Sequence, residues 1–354
     1  MHTKQRVTLL TFALLIAMYP FTGAQAADGP YHFIAKIDVG GEGFWDYASI
    51  DPAARRLYVT HGTKVTVIDI DRNAVVGEIA DTPGVHGFAI APDLGLGFSS
   101  NGQENKASIV DLKTLATKMK VDTGANPDAI VYVPGVEEVY TLNGRGKSAT
   151  VFEAKTGKVL ATIPLPGKPE FAQVDVQAGR IYDNIEDTNE VVAIDVRTHK
   201  VVAKWPIAPG EEASGMAIDA AGHRLFLGAS NKLMVVMDST SGKVVATVPI
   251  GPGVDANSYD PVTKLVFASC GGDGTVIIAH QDSPEKFTIV QKLETARGAR
   301  TMALDPKRHT IYLAAVDYEV PAAAAAPSAP GQRTPRPKPV SNSFKILVYG
   351  MEAK

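Results

Sequence analysis

The sequence predicts an all-β fold, a seven-bladed β-propeller of four-stranded antiparallel blades, and three observations lead there. An aromatic residue recurs at Tyr58, Phe98, Tyr140, Tyr182, Phe226, Phe267 and Tyr312, at steps of 40 to 45 residues. A second column, Asp69, Asp111, Glu153, Asp195, Asp238 and His280, closes the following strand of each unit and keeps steps of 42 or 43. Between the columns, apolar residues alternate in short runs such as Val65-Thr66-Val67-Ile68 and Val191-Val192-Ala193-Ile194, bounded by Gly, Pro, Asp or Asn and without helical periodicity. Two columns sharing one period define a repeat. Period-two alternation of β-branched residues between turn signals reads as short antiparallel strands. Four strands per unit, A to D, repeated radially seven times, make a propeller.

Taken in order, the chain opens with Lys4 and Arg6 before an apolar run over residues 7–21, then Ala24-Gln25-Ala26. That is the pattern of a signal peptide cleaved after Ala26, which places the mature protein in the periplasm or outside the cell. No later apolar stretch reaches the roughly 18 residues a membrane-spanning helix needs. Residues 27–354 are expected to form one propeller. Its first strand, residues 33–37 (FIAKI), resembles the last strand of other units, such as residues 158–163 (KVLATI), and the final unit, from about Glu294, supplies only three strands, the last over residues 344–349. The N-terminal strand is therefore expected to complete blade seven and leave no open sheet edge. Gly157 and Gly242, in Thr-Gly-Lys and Ser-Gly-Lys, fall where hairpin turns need a positive backbone angle. Residues 321–340 (PAAAAAPSAPGQRTPRPKPV) interrupt blade seven between strands B and C; their Pro and Ala content predicts an exposed loop, either a tolerated insertion or a partner-docking arm.

Composition narrows the partners. Without Lys4 and Arg6 the mature chain has 33 basic against 38 acidic residues, a formal charge of −5, which disfavours nucleic acid. The single cysteine, Cys270, rules out an internal disulfide and reads as an ordinary buried strand-end residue. With 45% hydrophobic residues, core burial is enough to hold a monomer of this length together.

The repeat carrying Tyr58-Val59-Thr60-His61 resembles the YVTN-repeat, YncE-like family of bacterial seven-bladed propellers over essentially the whole mature chain. That resemblance implies the fold and leaves the chemistry open, because similar rings host lactonases, lyases and binding scaffolds.

Where the copies differ, function is expected. Alignment on the turn after strand A, at Asp51, Ala91, Val133, Asp175, Asp219, Asp260 and Asp305, places Asp46, His86, Asp128, Glu170, Ser214, Asp255 and Arg300 five residues earlier. This column enters the innermost strand of each blade, at the mouth of the central channel, on the face that also receives the B-to-C loops. With Trp45 and Tyr47 as an apolar wall, these nine residues form the expected ligand site for a small molecule or a protein partner. Four like charges around one mouth favour a cation or raised pKa values. Asp46, Asp128, Glu170 and Asp255 are the candidate ligands for a divalent metal, calcium or magnesium. In a hydrolase or lyase of lactonase type, His86 and Glu170 would move protons and Arg300 would steady an anionic group. The alternative is that polar strand-entry residues merely satisfy loop amides.

A second acidic group, Asp183, Glu186, Asp187 and Glu190, is expected in the B-to-C loop of blade four as a solvated charge run. Gly146-Lys147-Ser148 lacks the first glycine of a phosphate-binding loop and is followed by a strand. There is no His-Glu-x-x-His zinc motif and no Gly-x-Ser-x-Gly elbow.

Overall fold

The computed structural model describes residues 29–319 and 338–351; the segment read from the sequence as a signal peptide and most of the Pro-rich insertion lie outside them. The described residues form seven four-stranded antiparallel sheets. Strand A of the successive blades is Trp45–Asp51, Val85–Ala91, Pro127–Val133, Pro169–Asp175, Ala213–Asp219, Val254–Asp260 and Met302–Asp305. The turn column expected from the sequence is the last residue of strand A in every blade. Blade seven is completed by Tyr31–Asp38, which pairs antiparallel with Lys345–Met351. The chain ends are thereby joined inside one sheet.

The aromatic column lies mid-strand, third in strand B of every blade. Each ring is buried because both faces of a blade are covered by its neighbours, so a residue halfway along strand B is furthest from solvent. The apolar core accordingly divides into seven clusters, one for each pair of adjacent blades. The acidic column does close strand C in blades one to five. In blade six strand C runs on to Ser283, so His280 is internal. These acids build turns: Asp69 Oδ1 accepts from the N–H groups of Asp71 and Arg72, and Asp111 and Asp238 repeat the arrangement.

One irregularity also repeats. In blades one to six, strand A carries one extra residue relative to strand B directly after its first residue. A bulge of this kind breaks the pairing and re-aims a side chain. In each blade it falls on the divergent column.

Candidate functional site at the channel mouth

Strand B stabilises the bulge. Thr60 Oγ1 accepts the Asp46 N–H at 3.1 Å and donates to the Tyr47 carbonyl at 3.0 Å. Ser100 accepts the Gly87 N–H at 2.8 Å and donates to the Asp128 carbonyl of the next blade at 2.5 Å. Asn184 Nδ2 donates to the carbonyls of Ser214 and Gly215, and Ser269 to those of Ala256 and Arg300. A polar fifth residue of strand B thus holds the bulge of its own blade (Thr60), grips the neighbouring blade (Asn184) or does both (Ser100 and Ser269). It satisfies backbone groups that the broken ladder leaves free.

The bulges bring Asp46, His86 and Asp128 together, with one donor atom from each within 4.8 Å of the others. His86 Nδ1 is 2.7 Å from Asp46 Oδ2 and 3.6 Å from Asp128 Oδ1. Gly102 leaves room for the imidazole: a Cβ there would come within 2.8 Å of the ring. Burial opposes charging of His86, but the hydrogen bond to Asp46 and the charge of Asp128 outweigh it and raise its pKa. Asp128 is 7% exposed, and its Oδ1 has no hydrogen-bond partner. Burial lifts its pKa to about 7, against the pull of His86 and with help from Asp46.

The other column members are committed to partners. Glu170 pairs with Lys168, whose Nζ also donates to Glu186 Oε2 at 2.6 Å; burial, then the charge of Asp128, raise the Glu170 pKa to about 8 although Lys168 opposes the shift. Asp255 Oδ2 accepts from Arg300 Nε at 2.6 Å, and burial followed by Asp46 lifts its pKa to about 6 against the guanidinium. Arg300 Nη2 donates to the Trp45 carbonyl at 3.2 Å, and the guanidinium lies 5.5 Å from the ring centroids of both Phe44 and Trp45. Ser214 Oγ turns aside to the Val254 carbonyl at 3.0 Å. Of the four carboxylates expected as one ligand set, Glu170 and Asp255 each face a cation. The set that converges is Asp46 and Asp128 with His86.

Tyr47 is a floor rather than a wall. Its ring crosses the channel to meet Phe171 edge-on, centroids 4.9 Å apart. Burial, then the charges of Asp128 and Asp46, push its phenol well above the usual tyrosine range. Beside the Asp46–His86–Asp128 group lies a cavity of about 1350 Å3 lined by Phe44, Trp45, Glu170, Ser214, Asp255 and Arg300, with Tyr318, Lys338 and Val340 from the base of the insertion. Phe44, 48% exposed, stands between the two, its ring 5.8 Å from that of His86.

The second acidic group dissolves as a unit. Asp183 is not in the loop but is the fourth residue of strand B (Arg180–Ile185) and is fully buried. Neither carboxyl oxygen has a well-formed hydrogen bond. Burial, then Glu170, raise its pKa well above the carboxylate range, with only partial relief from the Glu170 backbone. Glu186 and Asp187 occupy a single 3-10 turn and pair with Lys168 and Lys147, and Glu190 opens strand C. A strand-length count from Tyr182 would have placed Asp183 in register with Val59, Ser99, Thr141, Leu227, Ala268 and Leu313, the one acid in that row. Cys270 ends strand B of blade six and is buried, which pushes its thiol up to about 12.

Fold and mouth together define a seven-bladed β-propeller whose channel entrance is ringed by ionisable groups. No protein-family model matches the chain, and no curated protein matches its sequence. Among solved structures it is similar to hydrazine synthase of Kuenenia stuttgartiensis, with a TM-score of 0.66 and 16% identity over 83% of this chain and 95% of that one. At that identity the likeness concerns the fold alone.

Proposed function

We propose that this protein is an exported propeller, of the YVTN-repeat, YncE-like kind, that binds a small polar or cationic ligand at its channel mouth. One observation carries the reading: the mouth buries more carboxyl groups than its cations neutralise, next to a cavity large enough for a ligand. Lys168 serves both Glu170 and Glu186, Arg300 serves Asp255, and His86 lies between Asp46 and Asp128. Buried carboxyls left short of a counter-charge hold protons or await a cation. Phe44 and Trp45 already hold the Arg300 guanidinium, so the attraction left for a cation comes from the buried carboxyl groups. Thermal-shift titration of the mature protein with putrescine, choline and divalent metals tests this. D128N and E170Q are expected to abolish the shift while the variants stay folded. A shift of the same size in both variants would move the site elsewhere.

The second reading, a metal-dependent hydrolase or lyase of lactonase type, is favoured by the convergence of Asp46, His86 and Asp128. The residues fit a metal: Asp128 Oδ1 is buried without a partner, and two carboxylates with an imidazole suit zinc or manganese better than calcium. These three residues would hold the ion, and the ion would supply Lewis acidity toward a carbonyl. Glu170, its pKa raised toward neutrality, is the group placed for proton transfer. Elemental analysis of protein purified without chelator decides between the readings: one equivalent of metal per chain supports the enzyme, and none, with a melting temperature unmoved by added zinc or manganese, supports the binding protein.

A further inference from the structure

The charges that line the mouth cavity are sorted by blade. Arg297 and Arg300, from the loop entering blade seven, and Lys338, from the base of the insertion in that blade, supply its cations, whereas Glu170 and Glu186 belong to blade four and Glu212 stands directly before strand A of blade five. Most of these charges are already matched. Arg300 holds Asp255, Lys338 lies 3.7 Å from Glu319, and Glu170 and Glu186 share Lys168. Glu42, also in the lining, accepts from the Ser341 hydroxyl and the Asn342 N–H. Two are not matched: among the described residues no carboxylate pairs with Arg297 and no cation pairs with Glu212.

An exposed charge needs no partner, since water solvates it. What distinguishes these two is how they are fixed. Arg297 Nε donates to the Gly272 carbonyl at 3.3 Å, and the next residue, Gly298, donates its N–H to the Gly271 carbonyl at 2.7 Å. The guanidinium is thus seated on the loop after strand B of blade six through Nε, with both Nη groups left for a planar anion. Glu212 adopts a left-handed backbone, φ 45°, a conformation costly for a residue with a side chain, and Asn189 Oδ1 holds it there by accepting its N–H at 2.6 Å. Ser230 Oγ donates to Glu212 Oε2 at 3.1 Å, which leaves Oε1. Between the two residues lies blade six, whose loops turn Gly253, Gly271 and Gly272 toward the cavity. Those loops are joined to each other, the Gly271 N–H donating to the Gly253 carbonyl at 2.9 Å and the Gly272 N–H to the Pro252 carbonyl at 3.0 Å. A floor of bare backbone lets a ligand chain lie close.

Given a ligand site at the mouth, the reading proposed above, we infer that the ligand is a linear zwitterion: its carboxylate meets Arg297, its chain crosses the glycine loops of blade six, and its ammonium group meets Glu212. Opposite charges fixed on blades seven and five select for both ends of a molecule at once. A carboxylate facing the two Nη groups forms parallel hydrogen bonds of the strong, charge-assisted kind. Glu212 stands on the side where Glu170 and Glu186 have only Lys168 between them, which favours a cation there. A diamine or a metal ion satisfies the acidic half alone. The cavity of about 1350 Å3 has room for such a chain.

Isothermal titration calorimetry of the mature protein at pH 8 with 6-aminohexanoate and with its amide, 6-aminohexanamide, tests this. The two ligands differ only in the carboxylate. Because carboxylates outnumber cations in the cavity lining, the general field of the mouth favours the amide, which carries the greater positive charge. Saturable binding of 6-aminohexanoate, about tenfold tighter than that of the amide, is expected nonetheless. R297Q, at an exposed position, should erase that preference, and E212Q should weaken the binding of both ligands. Equal affinities, tighter binding of the amide, or a preference that survives R297Q would overturn the zwitterion while leaving the mouth a cation site. No saturable heat from either ligand would also overturn it; a putrescine-induced thermal shift in the same protein would then show that the mouth reading stands, and its absence that both fall.

Discussion

Glu170 shares a single ammonium group with Glu186, and this sets the pH response of the mouth. Its pKa in the fold, about 8, lies above the ordinary glutamic acid value, so the folded state holds a proton that the unfolded chain has released. The associated stability is fully present below the unfolded pKa and is lost as pH rises through about 8. E170Q should therefore flatten the decline in melting temperature between pH 5 and 8; a decline as steep as in the parent protein would place the proton elsewhere. His61 acts in the opposite sense. Burial against Phe344, with Lys64 nearby, lowers its pKa to about 4, so its contribution is present above the ordinary histidine value and lost as pH falls toward 4. At the mouth, a cation must displace protons from Asp128 and Glu170. Affinity for putrescine should consequently rise from pH 6 to 8, by at most about tenfold per pH unit for each proton released, and calorimetry in buffers of different ionisation enthalpy would count those protons.

At the scale of single strands, the bulge in strand A is what turns a repeated structural position into a site. Its clamps are hydroxyl and amide side chains in strand B, and those of Ser100, Asn184 and Ser269 reach the next blade. S100A and S269A should each cost about 1 kcal/mol or somewhat more in urea unfolding, because S100A leaves the Gly87 N–H and the Asp128 carbonyl without their partner and S269A does the same to the carbonyls of Ala256 and Arg300. S100A should also weaken ligand binding at the mouth, since Ser100 holds both Gly87, beside His86, and the Asp128 carbonyl. Unchanged stability in both variants would show that the bulge persists without its clamps. The existence and order of the strands were legible in the sequence, since alternation and turn residues are local properties. Position within a strand was less so. Asp183 read as a loop acid because it precedes Glu186 and Asp187 in the chain, whereas the ladder carries strand B two residues past it to Ile185. The pairing of Asp183 with Ala172 places it in the strand, as a residue count from Tyr182 along the repeat would also have done.

For the ring as a whole, stability depends on closure, since every apolar cluster lies between two blades and an open ring would expose one interface along with the edge of strand C in blade seven. Removing residues 29–38 should lower the melting temperature by well over 10 °C or yield aggregating protein. Shortening the insertion by residues 321–336, which spares the bridge between Tyr318 and Pro339, should change it by no more than a few degrees. A large loss in the second deletion, or tolerance of the first, would contradict this account of the fold.

The amino-acid sequence by itself determined the number of blades, the sharing of the last blade by the two chain ends, and the column of divergent residues at the entrance to strand A. All of these follow from periodicity, which survives in one dimension. Tertiary structure alone decided that His86 joins Asp46 and Asp128 while Glu170 and Asp255 turn to Lys168 and Arg300, and that Tyr47 spans the channel to Phe171. Those outcomes depend on distances across the ring between residues far apart in the chain, and on competition among neighbours for the same charge.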